Sequence, residues 1–256
     1  MNESDAMRAR VKAQFVEARG YWRPWTEAIL QAHPALLEQY ARYAAYPARH
    51  GPLSARMVEL IYVALDASSA HLYAAGLRTH LAGAFAAGAS EADIFDVLHL
   101  VAAQGLECVY QSAAILAQEA AEMAMSSIDV ALRTRIERLC PQAASMLQTL
   151  ATLDQTYVDV LLDFIEHGST GKGLNDAERS LIQIALHACF TAFNPDGVRR
   201  FVRAALDCGT TPSEVLQAVQ LGAHLSVHGT ALGATVLGEL RGGATMSEHR
   251  IKQQES

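Results

Sequence analysis

Two histidines in the segment HLYAAGLRTHLAGAFAAGAS, residues 71–90, are the first candidates for chemistry, because the rest of the segment is mostly alanine, glycine and leucine. Histidine has an unperturbed pKa of about 6.5, so it can take up or donate a proton near neutral pH. His80 is the main candidate, with Tyr73 seven residues before it on the same face of a straight helix. His71 would point to the opposite side unless the helix breaks at Gly76 or begins after His71.

Two carboxylates and one arginine are the further candidates. Glu59, on the preceding predicted helix, is expected to orient one of the histidines, and Glu107, on the following helix, is expected to contact a substrate. Arg78 could bind a substrate carboxylate, although an ion pair between subunits explains it equally well. The structural alternatives are a histidine that only fills the core and charges that face solvent.

The elements that carry these residues are predicted to be helices, since apolar positions recur at spacings of three and four. The sequence therefore predicts an all-α protein. Three capping signals mark helix starts. They are Ser90-Glu91-Ala92-Asp93, Asn175-Asp176-Ala177-Glu178 and Thr211-Pro212-Ser213-Glu214.

An internal duplication is predicted, because many residues recur without a gap at an offset of 121. The matched pairs include Leu53 with Leu174, Gly76 with Gly197, Arg78 with Arg199, Gly88 with Gly209, and Asp93 with Glu214. We expect a first repeat with lead-in helices over residues 1–125, a degenerate second repeat over 126–240, and a polar C-terminal tail over 241–256. In each repeat, a long capped helix is expected after the matched glycine, Gly88 or Gly209. The two repeats are expected to pack as an intramolecular pseudo-dimer.

The second repeat has lost most of the polar residues. At the same offset, Glu59 corresponds to Ser180 and His80 to Phe201, while Glu107 corresponds to His228. This pattern predicts one chemically active copy and one scaffold copy. Alternatively, His228 contributes to a composite site together with His224, four residues before it. The histidine pair lacks a clear third ligand, so no metal is predicted.

Composition excludes several classes of protein. The net charge is −7 and the basic residues are scattered, which argues against a nucleic acid or an anionic membrane surface as partner. The charged start has no apolar signal-peptide core, and no apolar run reaches about 18 residues, so we expect a cytoplasmic protein. The four cysteines form no CxxC pair, and the glycine patterns of nucleotide-binding loops are absent, which argues against a nucleotide cofactor.

The block from residue 59 to residue 105 resembles the carboxymuconolactone decarboxylase family of the AhpD-like (alkylhydroperoxidase D) superfamily. In it, a glutamate opens an apolar helix, and a histidine stands eight residues before a glycine that precedes an acidic helix start. The resemblance covers about residues 53–118 and, more weakly, 174–239. It implies the AhpD-like helical fold and a homo-oligomer, here a homotrimer in a pseudo-hexameric arrangement. It also implies a cofactor-independent decarboxylase or related lyase, acting on a small carboxylated lactone or a similar intermediate of aromatic catabolism. His80 would be its acid–base group, Glu59 the orienting partner, and Tyr73 and His71 hydrogen-bonding residues.

Two other functions stay open from the sequence. Peroxidases of the superfamily carry CxxCxxxH, but Tyr73 and Gly76 stand at the two cysteine positions here, which disfavours hydroperoxide reduction. The third possibility is a non-catalytic subunit for small-molecule binding or assembly. A pocket in which a histidine contacts a glutamate would favour an enzyme, whereas His80 in aliphatic packing would favour the non-catalytic subunit.

Overall fold

The structure, a computed structural model, describes the backbone of residues 3–120 and 126–254 and the side chains of 3–120 and 126–241. These residues form helices and no strand, so the all-α prediction is confirmed. The helices are α1 Glu3–Arg19, α2 Pro24–Ala32, α3 Pro34–His50, α4 Ala55–Ala67, α5 Ala74–Ala86, α6 Glu91–Glu119, α7 Val130–Leu139, α8 Ala144–Leu153, α9 Gln155–His167, α10 Asp176–Ala188, α11 Pro195–Asp207, α12 Pro212–Gly222 and α13 Val227–Gln254.

Helices α1 to α3 and α13 form one compact unit. Its core is built around Phe15, which is fully buried and meets the rings of Tyr21, Trp22 and Trp25 edge-on at 5.5 to 5.8 Å. Edge-to-face contacts of this kind add to the stabilisation that aromatic burial provides. The lead-in helices predicted from the sequence therefore have a core of their own.

Helices α4 to α12 form the second compact unit, and their bounds show the duplication directly. Helices α4 and α10 begin and end 121 residues apart, and so do α5 and α11, while α6 and α12 begin 121 residues apart. The glycines after α5 and α11 repeat the same backbone conformation, with φ of 91° at Gly88 and 86° at Gly209. Such positive φ values favour glycine and end each helix before the next cap.

The two copies meet in this unit along α4 and α10, whose apolar residues are almost completely buried. Arg56 on α4 joins them further, because its guanidinium binds Asp93 of the first copy and Glu178 of the second, each at 2.5 Å. Both carboxylates also belong to capping boxes, those of Ser90 and Asn175. The residues that start the helices therefore also hold the copies together.

The second copy differs from the first in its last helix. Helix α6 is continuous over 29 residues, as predicted, but α12 ends at Gly222 and is followed by a 3₁₀ turn, Ala223–Ser226. The expectation of a second long helix here is wrong. Gly222 weakens the helix and lies against the Ala185 carbonyl of α10, where a Cβ would come within 3.0 Å of the oxygen. Helix α12 thus ends at a close contact with α10.

Among the described helices, α6 alone is long and apolar enough to cross a membrane by length and composition. Core helices of soluble proteins meet the same criterion. Only 22% of that apolar stretch of α6 is buried in the structure, and three carboxylates of α6 bind arginines of neighbouring helices. These pairs are Asp93 with Arg56, Asp96 with Arg179, and Glu107 with Arg200.

The predicted boundary between the repeats, at residue 125, lies outside the described residues. Of the predicted polar tail, the backbone of 241–254 continues α13, and the side chains from 242 onward lie outside the description. The three-part division of the chain therefore stays a prediction at these two points.

Candidate active site

His80 lies between two carboxylates. The residue is on α5 and only 7% exposed. Its Nδ1 is 2.8 Å from Oε2 of Glu59, and its Nε2 is 4.0 Å from Oδ2 of Asp66. The ring also lies against Tyr62, with the ring centres 4.5 Å apart. A carboxylate that accepts a hydrogen bond from Nδ1–H fixes the orientation and tautomer of an imidazole. The other nitrogen, Nε2, is then free to exchange protons.

The sequence brings these groups together through matched spacings on two helices. Glu59 and Asp66 are two turns apart on one face of α4, while Gly76, His80 and Gly83 follow one face of α5. A Cβ at Gly83 would come within 2.8 Å of the Glu59 carboxyl carbon, and a Cβ at Gly76 would collide with the Asp66 carboxylate. The two glycines therefore leave the space in which both carboxylates reach the histidine.

The second copy supports this explanation, because the same positions change together. Ser180 replaces Glu59 and Phe201 replaces the histidine. Gly83 has become Ala204, as expected where no carboxylate needs the space. The second copy has therefore lost both the acid–base pair and the glycine that accommodates it.

Gly76, the other glycine on this face of α5, is retained in the second copy as Gly197. His187 packs on it, and a Cβ there would come within 2.9 Å of the His187 ring. The His187 ring stacks on Phe201 at 5.2 Å, with the planes only 8° apart. Burial lowers the pKa of His187, so the residue is held as a neutral core histidine. It stands at the position of Asp66 in the first copy.

Two of the predicted site residues, Tyr73 and His71, lie at the start of α5 and in the turn before it. Tyr73 is the N-cap residue of α5 and half-buried; its backbone N–H donates to the Asp66 carbonyl at 3.0 Å. His71 lies in the turn before the helix, so the prediction that it points away from His80 on a straight helix does not apply. Its Nε2 lies 3.1 Å from Oγ1 of Thr191, and its ring meets Phe190 edge-on, both in the loop before α11. These contacts join His71 to the second copy.

The three predicted substrate-binding residues lie in different places. Glu107 is buried and binds Arg200, and it accepts a hydrogen bond of 2.5 Å from the Tyr110 hydroxyl. Arg78 is exposed and makes no ion pair with the described residues. His228 is on α13 in the first compact unit, with its ring centre 6.1 Å from that of His224. Their predicted role in substrate binding is untested.

Sequence reasoning missed Asp66. Its signal was present, because it is the one charged residue after Glu59 in the apolar helix ELIYVALDA and follows Glu59 by two helical turns. A charged residue at such a position is rarely buried without a partner, and Asp66 is 1% exposed. The residue belongs with the candidate site.

Metal and thiol chemistry find little support in the part of the chain that the structure describes. No group of three or more His, Cys, Asp or Glu side chains in it is placed to hold a metal ion. The four cysteines are free, and burial raises the pKa of the Cys140 thiol to about 11. Peroxide-reducing thiols instead have lowered pKa values.

A family model matches the part of the chain that carries these residues. The model of the carboxymuconolactone decarboxylase family matches residues 34–126, which include Glu59, Asp66 and His80. The resemblance to this family is thus confirmed over residues 34–126, and the predicted all-α, AhpD-like fold is confirmed with it.

One solved structure resembles nearly the whole chain. It is the crystal structure of a Burkholderia xenovorans protein, provisionally described as a gamma-carboxymuconolactone decarboxylase subunit. The TM-score is 0.85 at 22% identity, over 93% of this chain and 98% of that chain. At this identity the likeness establishes the fold, including that of the second copy. A search of curated proteins gives no match.

Proposed function

We propose that this protein is a cofactor-independent lyase that removes CO₂ from a small carboxylated lactone or a related intermediate of aromatic catabolism. The observation that carries the proposal is the 2.8 Å contact between Nδ1 of buried His80 and the Glu59 carboxylate. A histidine in aliphatic packing would have favoured a non-catalytic subunit. The family of residues 34–126 supports the same class of reaction.

The chemistry follows from the two nitrogens of the ring. When the bond to the carboxylate carbon breaks, CO₂ leaves and its electron pair is delocalised into the adjacent unsaturated system, which must then be protonated at carbon. Protonated His80 delivers that proton from Nε2, and the ring regains one from solvent afterwards. Nδ1 keeps its proton throughout and donates it in a hydrogen bond to Glu59, which holds the ring in place. Asp66, 4.0 Å from Nε2, stabilises the charged ring before transfer.

The residues at the start of α5 complete the proposed site. Tyr73 and His71 supply hydrogen bonds to the substrate, and exposed Arg78 is the candidate partner for a substrate carboxylate. These roles are proposals from residue type and position along the helix.

The test is CO₂ release from 4-carboxymuconolactone by the wild type, His80→Ala and Glu59→Gln. His167→Ala is the control, since His167 is exposed at the end of α9. We expect His80→Ala to lose at least about 10²-fold in rate, the scale of general acid–base catalysis, while the control stays at the wild-type rate. An active His80→Ala variant would refute the role of His80. A wild type without turnover would refute this substrate and favour a binding subunit.

A further inference from the structure

A cavity of about 270 Å³ in the second unit is lined by α6 of the first copy and by α7 to α11 of the second copy. Ser180 and Phe201 are in its wall. These are the positions that Glu59 and His80 hold in the first copy. The cavity therefore lies where the duplicated fold has a chemical site, but without the acid–base pair.

The wall of the cavity is mostly apolar. Its aliphatic and aromatic residues come from five helices and suit a hydrocarbon ring. They include Leu100, Leu106, Leu139, Leu147, Ile165 and Phe201. A cavity of this size accommodates one bicyclic ring compound or a smaller one.

The charges on the wall are already paired. Arg200 binds Glu107, and Arg179 binds Asp96 at 2.6 Å. Burial and the neighbouring Glu107 carboxylate raise the pKa of Tyr110 well above its usual value, so its hydroxyl remains a donor to Glu107. A ligand anion would have to break one of these pairs, and removing one partner from a buried ion pair is costly. The wall therefore favours a neutral ligand.

Two acceptors in the same wall have no hydrogen-bond partner among the described residues. One is Oε1 of Gln183, a residue only 8% exposed, and the other is Nδ1 of His99. Nε2 of His99 lies 3.1 Å from the Phe164 carbonyl oxygen, which can only accept, so Nε2 carries the proton. Burial lowers the pKa of His99, which leaves Nδ1 as an unprotonated acceptor. Buried acceptors without partners are destabilising, and a ligand that donates hydrogen bonds would relieve this.

We propose that the second copy is a binding site for a neutral ring compound that carries a hydroxyl group. The ring contacts the apolar wall, and the hydroxyl donates to Gln183 or His99. The site binds this compound without converting it, because Ser180 and Phe201 stand where the first copy has its acid–base pair. This inference does not depend on the decarboxylase proposal, since it uses neither His80, Glu59 nor Asp66.

The test is calorimetric titration of the full chain at pH 7 with 2-naphthol, naphthalene and 2-naphthoate. We expect 2-naphthol to bind more tightly than naphthalene, which lacks the donor, and at least about tenfold more tightly than the 2-naphthoate anion. Equal affinities for naphthol and naphthalene would overturn the role of the acceptors. Tighter binding of naphthoate would overturn the preference for a neutral ligand, and no binding at millimolar concentration would overturn the site.

Three variants locate the binding. Gln183→Leu should weaken naphthol by about 2- to 13-fold, the worth of one hydrogen bond, and leave naphthalene unchanged. Ala103→Phe should fill the cavity and remove binding of both, with folding checked by circular dichroism. His80→Ala should leave the binding unchanged. Loss of naphthol binding in His80→Ala, or full binding in both Gln183→Leu and Ala103→Phe, would overturn the proposal.

Discussion

Replacing Gly83 by alanine separates the stability of the fold from the geometry of the site. The new Cβ would lie 2.8 Å from Cδ and Oε2 of Glu59, where ordinary contacts begin at 3.4 Å. The atoms in the way are the end of a flexible side chain, so the carboxylate moves and the helices keep their spacing. A shift of about 0.6 Å takes the 2.8 Å contact with His80 beyond normal hydrogen-bond length or out of line.

The expected magnitudes have opposite signs for stability and activity. Alanine in a helix interior is more favourable than glycine by about 0.5–1 kcal/mol, so Gly83→Ala should unfold at the same or a higher urea concentration. A displacement of this order at a catalytic group costs up to about 10²-fold in rate, so we expect kcat to fall by about 10- to 100-fold with KM little changed. The reciprocal variant is Ala204→Gly in the second copy, which should lose about 1 kcal/mol of stability and no activity.

The assays are CO₂ release from 4-carboxymuconolactone and urea unfolding of the same four samples: wild type, both variants and Glu59→Gln. Full activity in Gly83→Ala would show that the position of the Glu59 carboxylate does not matter. If Gly83→Ala lowers the free energy of unfolding by more than about 2 kcal/mol, the backbones of α4 and α5 are too close for any side chain at residue 83. Movement of the Glu59 carboxylate would then not be enough to make room for the new Cβ.

Three further predictions concern stability and reactivity. Asp96→Ala should lower the free energy of unfolding in urea by about 3–5 kcal/mol, because Arg179 and two backbone amides lose a fully buried partner. A decrease of less than about 1 kcal/mol would contradict this. Burial lowers the pKa of His187, so the unfolded chain takes up its proton first and stability falls as the pH drops below about 6.5. His187→Gln should reduce that fall between pH 7 and 5 by up to about 1.4 kcal/mol per pH unit, and an unchanged slope would refute the assignment. Because burial raises the pKa of Cys140 to about 11, iodoacetamide at pH 8 should modify exposed Cys108 well before Cys140, as peptide mass spectrometry would show.

Local signals in the sequence predicted the helix starts correctly. The capping boxes at Ser90, Asn175 and Thr211 form as expected, since the donor and acceptor lie within three residues of each other. The duplication was also readable, because helices of one length recur at one offset. Even the contact between Glu59 and His80 could be predicted, as the two helices are consecutive and antiparallel neighbours are the common arrangement.

Contacts between segments that are distant in the chain could not be predicted from such local signals. The carboxylate of Glu107 binds Arg200, 93 residues later in the chain, and no local pattern predicts this pair. Asp66 was overlooked because its burial depends on a glycine on another helix. A single sequence shows which faces are apolar, but not which residue of one face stands opposite which residue of another.

The divergence of the two copies is best understood as one coupled change. A carboxylate at the position of Ser180 would need a glycine at 204 to fit and a histidine at 201 to bind, and all three are absent together. Phenylalanine at 201 forms a ring stack with His187, which packs on retained Gly197, so the helix pair still packs. Serine is smaller than glutamate and uncharged, and it lies in the wall of the cavity that remains. One set of substitutions thus replaces the histidine–glutamate pair, preserves the packing of α10 on α11, and leaves a mostly apolar cavity in its place.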